Sequence, residues 1–407
     1  MQLRPHQSEA LNILSENDRG IIAMATGAGK TNVQIFDAIR EFEKSEPQTI
    51  VIVAPRILLA SQLSYDYGKH ITNAKFLHVH TKNGKVRHYH TTKPKTIKEW
   101  TEIHNSHHKL IFTTYHSLKK IYESGINVNT YMFDESHNST SAGFHEYVKN
   151  VSEITKRCYH FTATPRYSRA DNKAGMNDSI YGGIIARASA KQLIDGGYIL
   201  KPNVISHSLE WIDEREPQHD ADDIVSIIEE YDLSKLLICV KSTKSMMRML
   251  TETDFSQNLA DRGYDLLHIT AQHGAFRNGE RIERDKFFAV LDELGSSTER
   301  KYVILNYSIL GEGINVKSLD AVLLMRQLNL IKLVQNIGRT LRISAEDAKA
   351  IEEGQLQIGD YSNYLKPEGK VIIPVYNKNL LAISETIQST VEEVYENGEL
   401  PIMEVTK

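Results

Sequence analysis

Met24-Ala25-Thr26-Gly27-Ala28-Gly29-Lys30-Thr31 follows the apolar run Ile21-Ile22-Ala23 and opens a stretch with Val33, Phe36 and Ile39 at helical spacing. A strand, a glycine turn and a helix in that order aim successive backbone N–H groups and a helix N-terminus at one point, which suits a phosphate chain. Gly27 and Gly29 lack a Cβ, so the turn from Thr26 through Ala28 to Gly29 can wrap closely round phosphate oxygens. Lys30 supplies a mobile positive charge for the β- and γ-phosphates, and the Thr31 hydroxyl suits Mg²⁺. The stretch departs from G-x-x-x-x-G-K-[ST] at its first position, where Met24 stands.

Outward from this turn, Thr49 to Ala54 is an unbroken run of strand-forming residues that ends in Pro55-Arg56. Similar runs recur at Leu110 to Thr113, Tyr131 to Phe133 and Tyr159 to Thr162, with helical stretches between them. Strands apolar on both faces that alternate with helices predict an α/β domain with a doubly wound parallel sheet, its site at the carboxyl ends of the strands. Asp134-Glu135-Ser136-His137 stands at one such end. Adjacent carboxylates on an extended chain point to opposite sides, so Asp134 can hold Mg²⁺ through water while Glu135 polarises an attacking water. The next run closes with Thr162-Ala163-Thr164-Pro165, whose two hydroxyls can reach the acidic tetrapeptide and pass its state to a neighbouring element. Near the start, Gln7 of Arg4-x-x-Gln7 can both donate to and accept from an adenine edge.

The second half repeats the rhythm. Gly196-Gly197 followed by Lys201-Pro202 predicts a boundary near residue 200, giving domains 1–200 and 201–407. Helices are expected over 222–231, 246–259, 281–294 and 380–395, and strands over 236–240, 266–270, 302–305, 321–325 and 371–376. This half has no Gly-x-Gly-Lys-Thr of its own. It carries Gln335-Asn336-Ile337-Gly338-Arg339-Thr340-Leu341-Arg342, in which Arg339 and Arg342 fall at i and i+3 of a helix and Gln335 one turn earlier. Paired guanidinium groups beside a glutamine suit phosphate oxygens, and an arginine so supplied speeds phosphoryl transfer by about 10³ to 10⁵. The loop Gly311-Glu312-Gly313-Ile314-Asn315 offers a second phosphate-facing neighbour, with Gly313 at its centre.

The 407 residues, 41% hydrophobic and 25% charged, are expected to form at least two ordinary globular domains. No apolar run reaches membrane-spanning length and no leader precedes the first helix, so the reading is cytoplasmic, in a bacterial or host-cell cytosol, with no membrane partner. Cys158 and Cys239, each inside an apolar run, read as reduced core thiols. A net charge of −4 excludes a globally basic nucleic-acid coat, so any such surface is local. The segment 68–109 fits: it has Lys or Arg at 69, 75, 82, 85, 87, 93, 95, 98 and 109 against Glu99 and Glu102, with Phe76, Tyr89 and Trp100 interleaved. Its histidines, His78, His80, His88 and His90 among them, raise a zinc site, but no cysteine lies there, and a basic flap over nucleic acid is the preferred reading.

Taken together, Arg4-x-x-Gln7, Ala25 to Thr31, Ala54-Pro55-Arg56, Thr113-Thr114-Tyr115, Asp134 to His137, Thr162 to Pro165, Gly311 to Asn315 and Gln335-x-x-Gly338-Arg339-x-x-Arg342 resemble, in order, the superfamily 2 helicases and translocases. Within them the chain is most similar to the motor parts of type I, type III and single-chain restriction enzymes, through Leu110 to Leu118, Met176 to Gly182, Glu312 to Met325 and Lys370 to Val375. The resemblance implies two tandem RecA-like domains with an ATP cleft between them and nucleic acid crossing both. It assigns phosphate and Mg²⁺ to Lys30 and Thr31, Mg²⁺ to Asp134, the base to Glu135, coupling to His137, the γ-phosphate to Gln335 and the fingers to Arg339 and Arg342. Gln7 would read adenine, and Arg56, Thr113 and Thr114 would meet the nucleic-acid backbone. Ser136 and Asn315 stand where this branch commonly has alanine and aspartate. With the first motif at residue 25, no nuclease domain is expected ahead of it, and no methyltransferase after the motor. The expected function is an ATP-dependent DNA helicase or translocase. The alternatives are an RNA helicase and a nucleotide-gated clamp that binds nucleic acid without moving.

Overall fold

The computed structural model describes residues 3–81, 88–212, 214–270, 273–307, 316 and 318–406. The chain divides into two units, residues 1–189 with 400–407, and residues 190–399. The first begins with α1 (Pro5–Glu16), β1 (Arg19–Met24), α2 (Lys30–Glu41), β2 (Thr49–Ala54) and α3 (Ile57–Gly68). Next come β3 (Ala74–Val79), β4 (Tyr89–His90), α4 (Pro94–Ile103), β5 (His108–Thr114) and α5 (Leu118–Ser124). β6 (Thr130–Phe133), α6 (Ala142–Ile154), β7 (Arg157–Thr162), β8 (Arg166–Ser168) and β9 (Ile184–Ala188) follow. Eight of these strands form a wholly parallel sheet in the order β4-β3-β5-β2-β6-β7-β1-β9. The strands carrying the glycine turn, the acidic tetrapeptide and the threonine pair, β1, β6 and β7, are therefore consecutive neighbours, and parallel pairing brings their carboxyl ends to one edge.

The second unit runs α7 (Ala190–Asp195), β10 (Lys201–Ser208), α8 (Pro217–Glu230), β11 (Lys235–Cys239), α9 (Thr243–Glu252) and α10 (Phe255–Asp261). It continues with β12 (Tyr264–Thr270), β13 (Gly274–Arg277), β14 (Glu280–Ile282), α11 (Arg284–Ser296), β15 (Lys301–Asn306) and β16 (Ala321–Leu324). α12 (Leu330–Thr340), α13 (Ala345–Glu352), β17 (Glu368–Val375) and α14 (Lys378–Val391) complete it. Its sheet runs β10-β17-β16-β11-β15-β12-β13-β14, parallel except that β13 pairs antiparallel with both β12 and β14. The chain then returns to the first unit, where β18 (Met403–Val405) pairs with β8.

Several expectations shift. The division falls at Ser189/Ala190 rather than at residue 200, because α7 is tied into the second unit: the Tyr361 hydroxyl meets the carbonyls of Ile194 and Ile199 at 2.5 and 2.9 Å, and Leu200 N–H donates to Leu341. The helix expected over 246–259 is two helices, since the Thr253 hydroxyl turns back to the Met249 carbonyl and the extended backbone at Thr253 ends α9. On α2 the buried face is not the stripe of Val33, Phe36 and Ile39. It carries Val33, Gln34, Ile35, Asp37, Ala38 and Glu41. The buried polar groups on that face are satisfied by a network that no periodicity reveals: Arg157 bridges Asp37 at 3.0 Å and Glu41 at 2.7 Å and donates to the Tyr159 hydroxyl. The cysteines are free and buried, as expected of core thiols.

Candidate functional site

In the first unit the glycine turn leaves β1 with Gly27 at φ 89° and Gly29 at φ 79°, backbone angles that glycine reaches without strain and other residues rarely adopt. Ala28 is buried, and its carbonyl accepts from Gln7 Nε2 at 2.8 Å and meets His6 Nε2 at 2.9 Å. Gln7 Oε1 in turn accepts from the Arg4 backbone N–H at 3.0 Å. Gln7, buried and engaged at both ends, thus ties α1 to the phosphate turn. Lys30 Nζ donates to the Met24 carbonyl at 3.2 Å, and Thr31 follows in the first turn of α2.

At the end of β6, Asp134 is buried, with its N–H on the Val53 carbonyl and its own carbonyl accepting from the Tyr115 hydroxyl at 3.0 Å. Its carboxylate Oδ1 accepts from Gln34 Nε2 at 3.1 Å. Burial pushes this carboxyl up to about 7, with the Glu135 charge adding to the rise and Lys30 and Gln34 opposing it. A divalent cation would offset both the burial and the repulsion, so the residues present fit Mg²⁺. Glu135 does not continue an extended chain. It sits in the left-handed region at φ 45°, ψ 50°, so a turn, not strand alternation, separates the two carboxylates. A non-glycine residue held there stores strain, the kind that concentrates at functional sites. Glu135 Oε2 is buried without a hydrogen-bond partner among the described residues, 3.5 Å from His137 Nδ1.

Asn138 Nδ2 donates to His137 Nε2 at 3.1 Å, which leaves Nδ1–H to donate to Thr162 Oγ1, also at 3.1 Å. The same Thr162 oxygen accepts the Thr164 backbone N–H at 3.1 Å. The acidic tetrapeptide and the β7 end are therefore joined through His137 and Thr162, while Thr164 Oγ1 is buried without a hydrogen-bond partner among the described residues.

The expected nucleic-acid contacts divide. Arg56 is exposed at the start of α3. Thr113 and Thr114 are buried, and the Thr113 hydroxyl donates to the Val79 carbonyl at 2.7 Å, which pins β5 to β3. Of the basic segment, residues 82–87 lie outside the described residues. The histidines around them pair with each other and the chain: His78 Nε2 meets Ser64 Oγ at 2.9 Å, His78 Nδ1 meets His80 Nε2 at 3.1 Å, and His80 Nδ1 meets the Thr81 carbonyl. Among the described residues no group of three or more His, Cys, Asp or Glu side chains is placed to hold a metal ion.

In the second unit, α12 packs on β16 and β17 and buries Gln335 and Arg339. Both amide atoms of Gln335 are buried without a hydrogen-bond partner among the described residues, an arrangement that costs free energy unless a ligand completes it. Arg339 Nη1 donates to Asn336 Oδ1 at 2.9 Å. The expectation that Arg339 and Arg342 share a helix face is corrected: α12 ends at Thr340, and Arg342 lies beyond the turn, 3.5 Å from the Val316 carbonyl. The helix end is clamped by Lys366, whose Nζ donates to the carbonyls of Thr340 at 2.6 Å and Arg342 at 3.0 Å. Asp347 accepts the backbone N–H groups of Leu365 and Lys366 on the other side. Burial holds the Lys366 amine down to about 7. Gly313 and the rest of 311–315 lie outside the described residues. Sequence reading missed Gln34, Tyr115 and Lys366. Gln34 alone left a trace, a polar residue one turn after Lys30.

A glycine turn, an acidic pair with Asp134 buried, and a threonine pair on consecutive parallel strands define a P-loop nucleotide-binding protein of RecA-like fold. Residues 1–167 match the family model of the type III restriction enzyme res subunit, and residues 220–344 match that of the helicase conserved C-terminal domain. Residues 1–167 thus carry a type III restriction res-subunit domain and residues 220–344 a helicase C-terminal domain, the domain order of a superfamily 2 helicase. The DNA-bound ATP-dependent type ISP restriction-modification enzyme LlaBIII is 18% identical with a TM-score of 0.71, covering 100% of this chain and 32% of that one. This chain thus spans about a third of that enzyme's length. The Mycobacterium smegmatis helicase Lhr bound to single-stranded DNA and AMP-PNP is 14% identical, with a TM-score of 0.61 and coverage of 99% and 49%. S. cerevisiae Dbp5 bound to RNA and ADP BeF3 is 16% identical, with a TM-score of 0.55 and coverage of 99% and 89%. At these identities the likeness is one of fold. No curated protein matches the sequence. Among the described residues no helix is long and apolar enough to cross a membrane.

Proposed function

We propose that this chain is an ATP-driven DNA translocase or helicase. The observation that carries the reading is the joint arrival of the phosphate turn, Asp134-Glu135 and Thr162 at the ends of three consecutive strands, with a strained Glu135 whose Oε2 is buried without a hydrogen-bond partner among the described residues. Thr26, Gly27, Ala28, Gly29 and Lys30 bind the phosphates, and Thr31 with Asp134 holds Mg²⁺. The cation neutralises phosphate charge when bound. Glu135 orients and deprotonates the attacking water, and in the second unit Gln335, Arg339 and Arg342 supply the amide and guanidinium groups suited to phosphate oxygens. His137 and Thr162 pass the state of the acidic pair to the β7 end.

The restriction-enzyme family match and the DNA-bound solved relatives support DNA as the track, and backbone contact of this kind weakens steeply with salt. The test measures ATP turnover at low salt with single-stranded, duplex and branched DNA and matched RNA. Stimulation by DNA is expected. Stimulation by RNA alone would replace the substrate, and no stimulation by either would sink the reading. Replacing Glu135 by Gln is expected to preserve ATP binding and stop turnover; continued turnover would remove the base assignment.

A further inference from the structure

Gln34 stands one turn beyond Lys30 on α2, fully buried on a face that packs against the sheet. A leucine there would pack without polar cost, whereas a buried carboxamide is tolerated only when its ends are hydrogen-bonded. Both ends are used. Nε2 donates to Asp134 Oδ1 at 3.1 Å, and Oε1 accepts from the Tyr67 hydroxyl at 3.3 Å. Tyr67, on α3, is also fully buried, and Tyr115 holds the Asp134 carbonyl from the other side. The carboxylate is thus fixed by a chain that runs from α3 through α2 to the end of β6. Hydrogen bonds to a carboxylate behind a metal set its orientation, and their loss commonly costs about 10- to 100-fold in metal affinity.

We infer that Gln34, braced by Tyr67, is a positioning residue that sets the Mg²⁺ requirement of nucleotide binding by holding the Asp134 carboxylate in one orientation. This rests on the reading above that Asp134 carries the Mg²⁺ of bound ATP.

The experiment titrates Mg²⁺ into the full chain with a fluorescent N-methylanthraniloyl ATP, following binding rather than turnover. Gln34→Met, close in size, is expected to raise the Mg²⁺ midpoint about 10-fold while leaving Mg²⁺-free affinity for the analogue unchanged. Tyr67→Phe, which removes one hydroxyl, is expected to shift the midpoint the same way by about 3-fold and stands in if Gln34→Met does not fold. An unchanged midpoint in a folded variant overturns the inference. Equal loss of Mg²⁺-free and Mg²⁺-dependent binding also overturns it, since that is the mark of a structural pin. Failure of the wild-type chain to bind the analogue at any Mg²⁺ concentration would remove the nucleotide reading itself, and the inference with it.

Discussion

The two units have the same kind of sheet but build their functional groups differently. In the first, backbone shape does most of the work: Gly27 and Gly29 after β1 and Glu135 after β6, two strands separated by β7, all adopt positive φ. In the second, side chains on one buried helix do it, and what fixes them is the clamp of Lys366 and Asp347 beyond the helix end. A site shaped by backbone declares itself in sequence through glycines and strand ends, because few residues tolerate those angles. A site presented by a helix depends on which face is buried, and that is set by residues distant in the chain.

The sharpest way to break this comparison is through chemistry. Glu135→Gln is expected to lower ATP turnover by about 10² to 10⁴ and Arg339→Ala by about 10³, both with ATP binding retained, as measured by steady-state turnover beside nucleotide titration. If Arg339→Ala left turnover intact, the buried helix of the second unit would have no part in the reaction.

Next in size is the buried charge network of the first unit. Asp37→Ala leaves Arg157 short of a partner and is expected to cost about 3–5 kcal/mol, read by urea denaturation, with the loss confined to the first unit in hydrogen exchange.

Acid bears on both units. Burial holds His78 and His160 of the first unit down to about 3, against an ordinary value of 6.5. The unfolded chain binds protons below pH 6.5 that the folded unit refuses, so stability is lost as pH falls from 6.5 toward 3. Each histidine contributes about 1.4 kcal/mol per pH unit within that window. Asp134, held up to about 7 when folded, gains stability over most of the same fall and offsets about one histidine, so the net loss in the first unit is expected to be close to that in the second, where His268 is held to about 4. Smaller still, Lys366→Met strands the carbonyls of Thr340 and Arg342 and is expected to cost the second unit about 1–3 kcal/mol. In wild-type protein the same amine, held near 7 when folded and 10.5 when not, makes stability rise between those pH values.

How far sequence reading reached follows the same division. The parallel strands, the phosphate turn and the Asp134-Glu135 pair were legible because each is local: a run of strand formers, a pair of glycines, two acids at a strand end. The bracing contacts of Gln7 and Thr113 were not legible, since a side chain's partner across the fold leaves no mark in its own neighbourhood. Arg342 was set on the face of Arg339 by helical spacing, but the helix stops at Thr340, where Lys366 takes up its terminal carbonyls.

Amino-acid order alone determined the α/β class, the order of the motifs and the identity of the phosphate turn, because these depend on chain stereochemistry and on contacts within a few residues. Only the tertiary structure decided that Gln34 and Tyr67 stand behind Asp134, that Arg157 gathers Asp37 and Glu41, and that Lys366 closes the helix of Arg339. Those contacts join polar groups far apart in the chain, and they form because a polar atom removed from water must find its partner wherever the fold brings one.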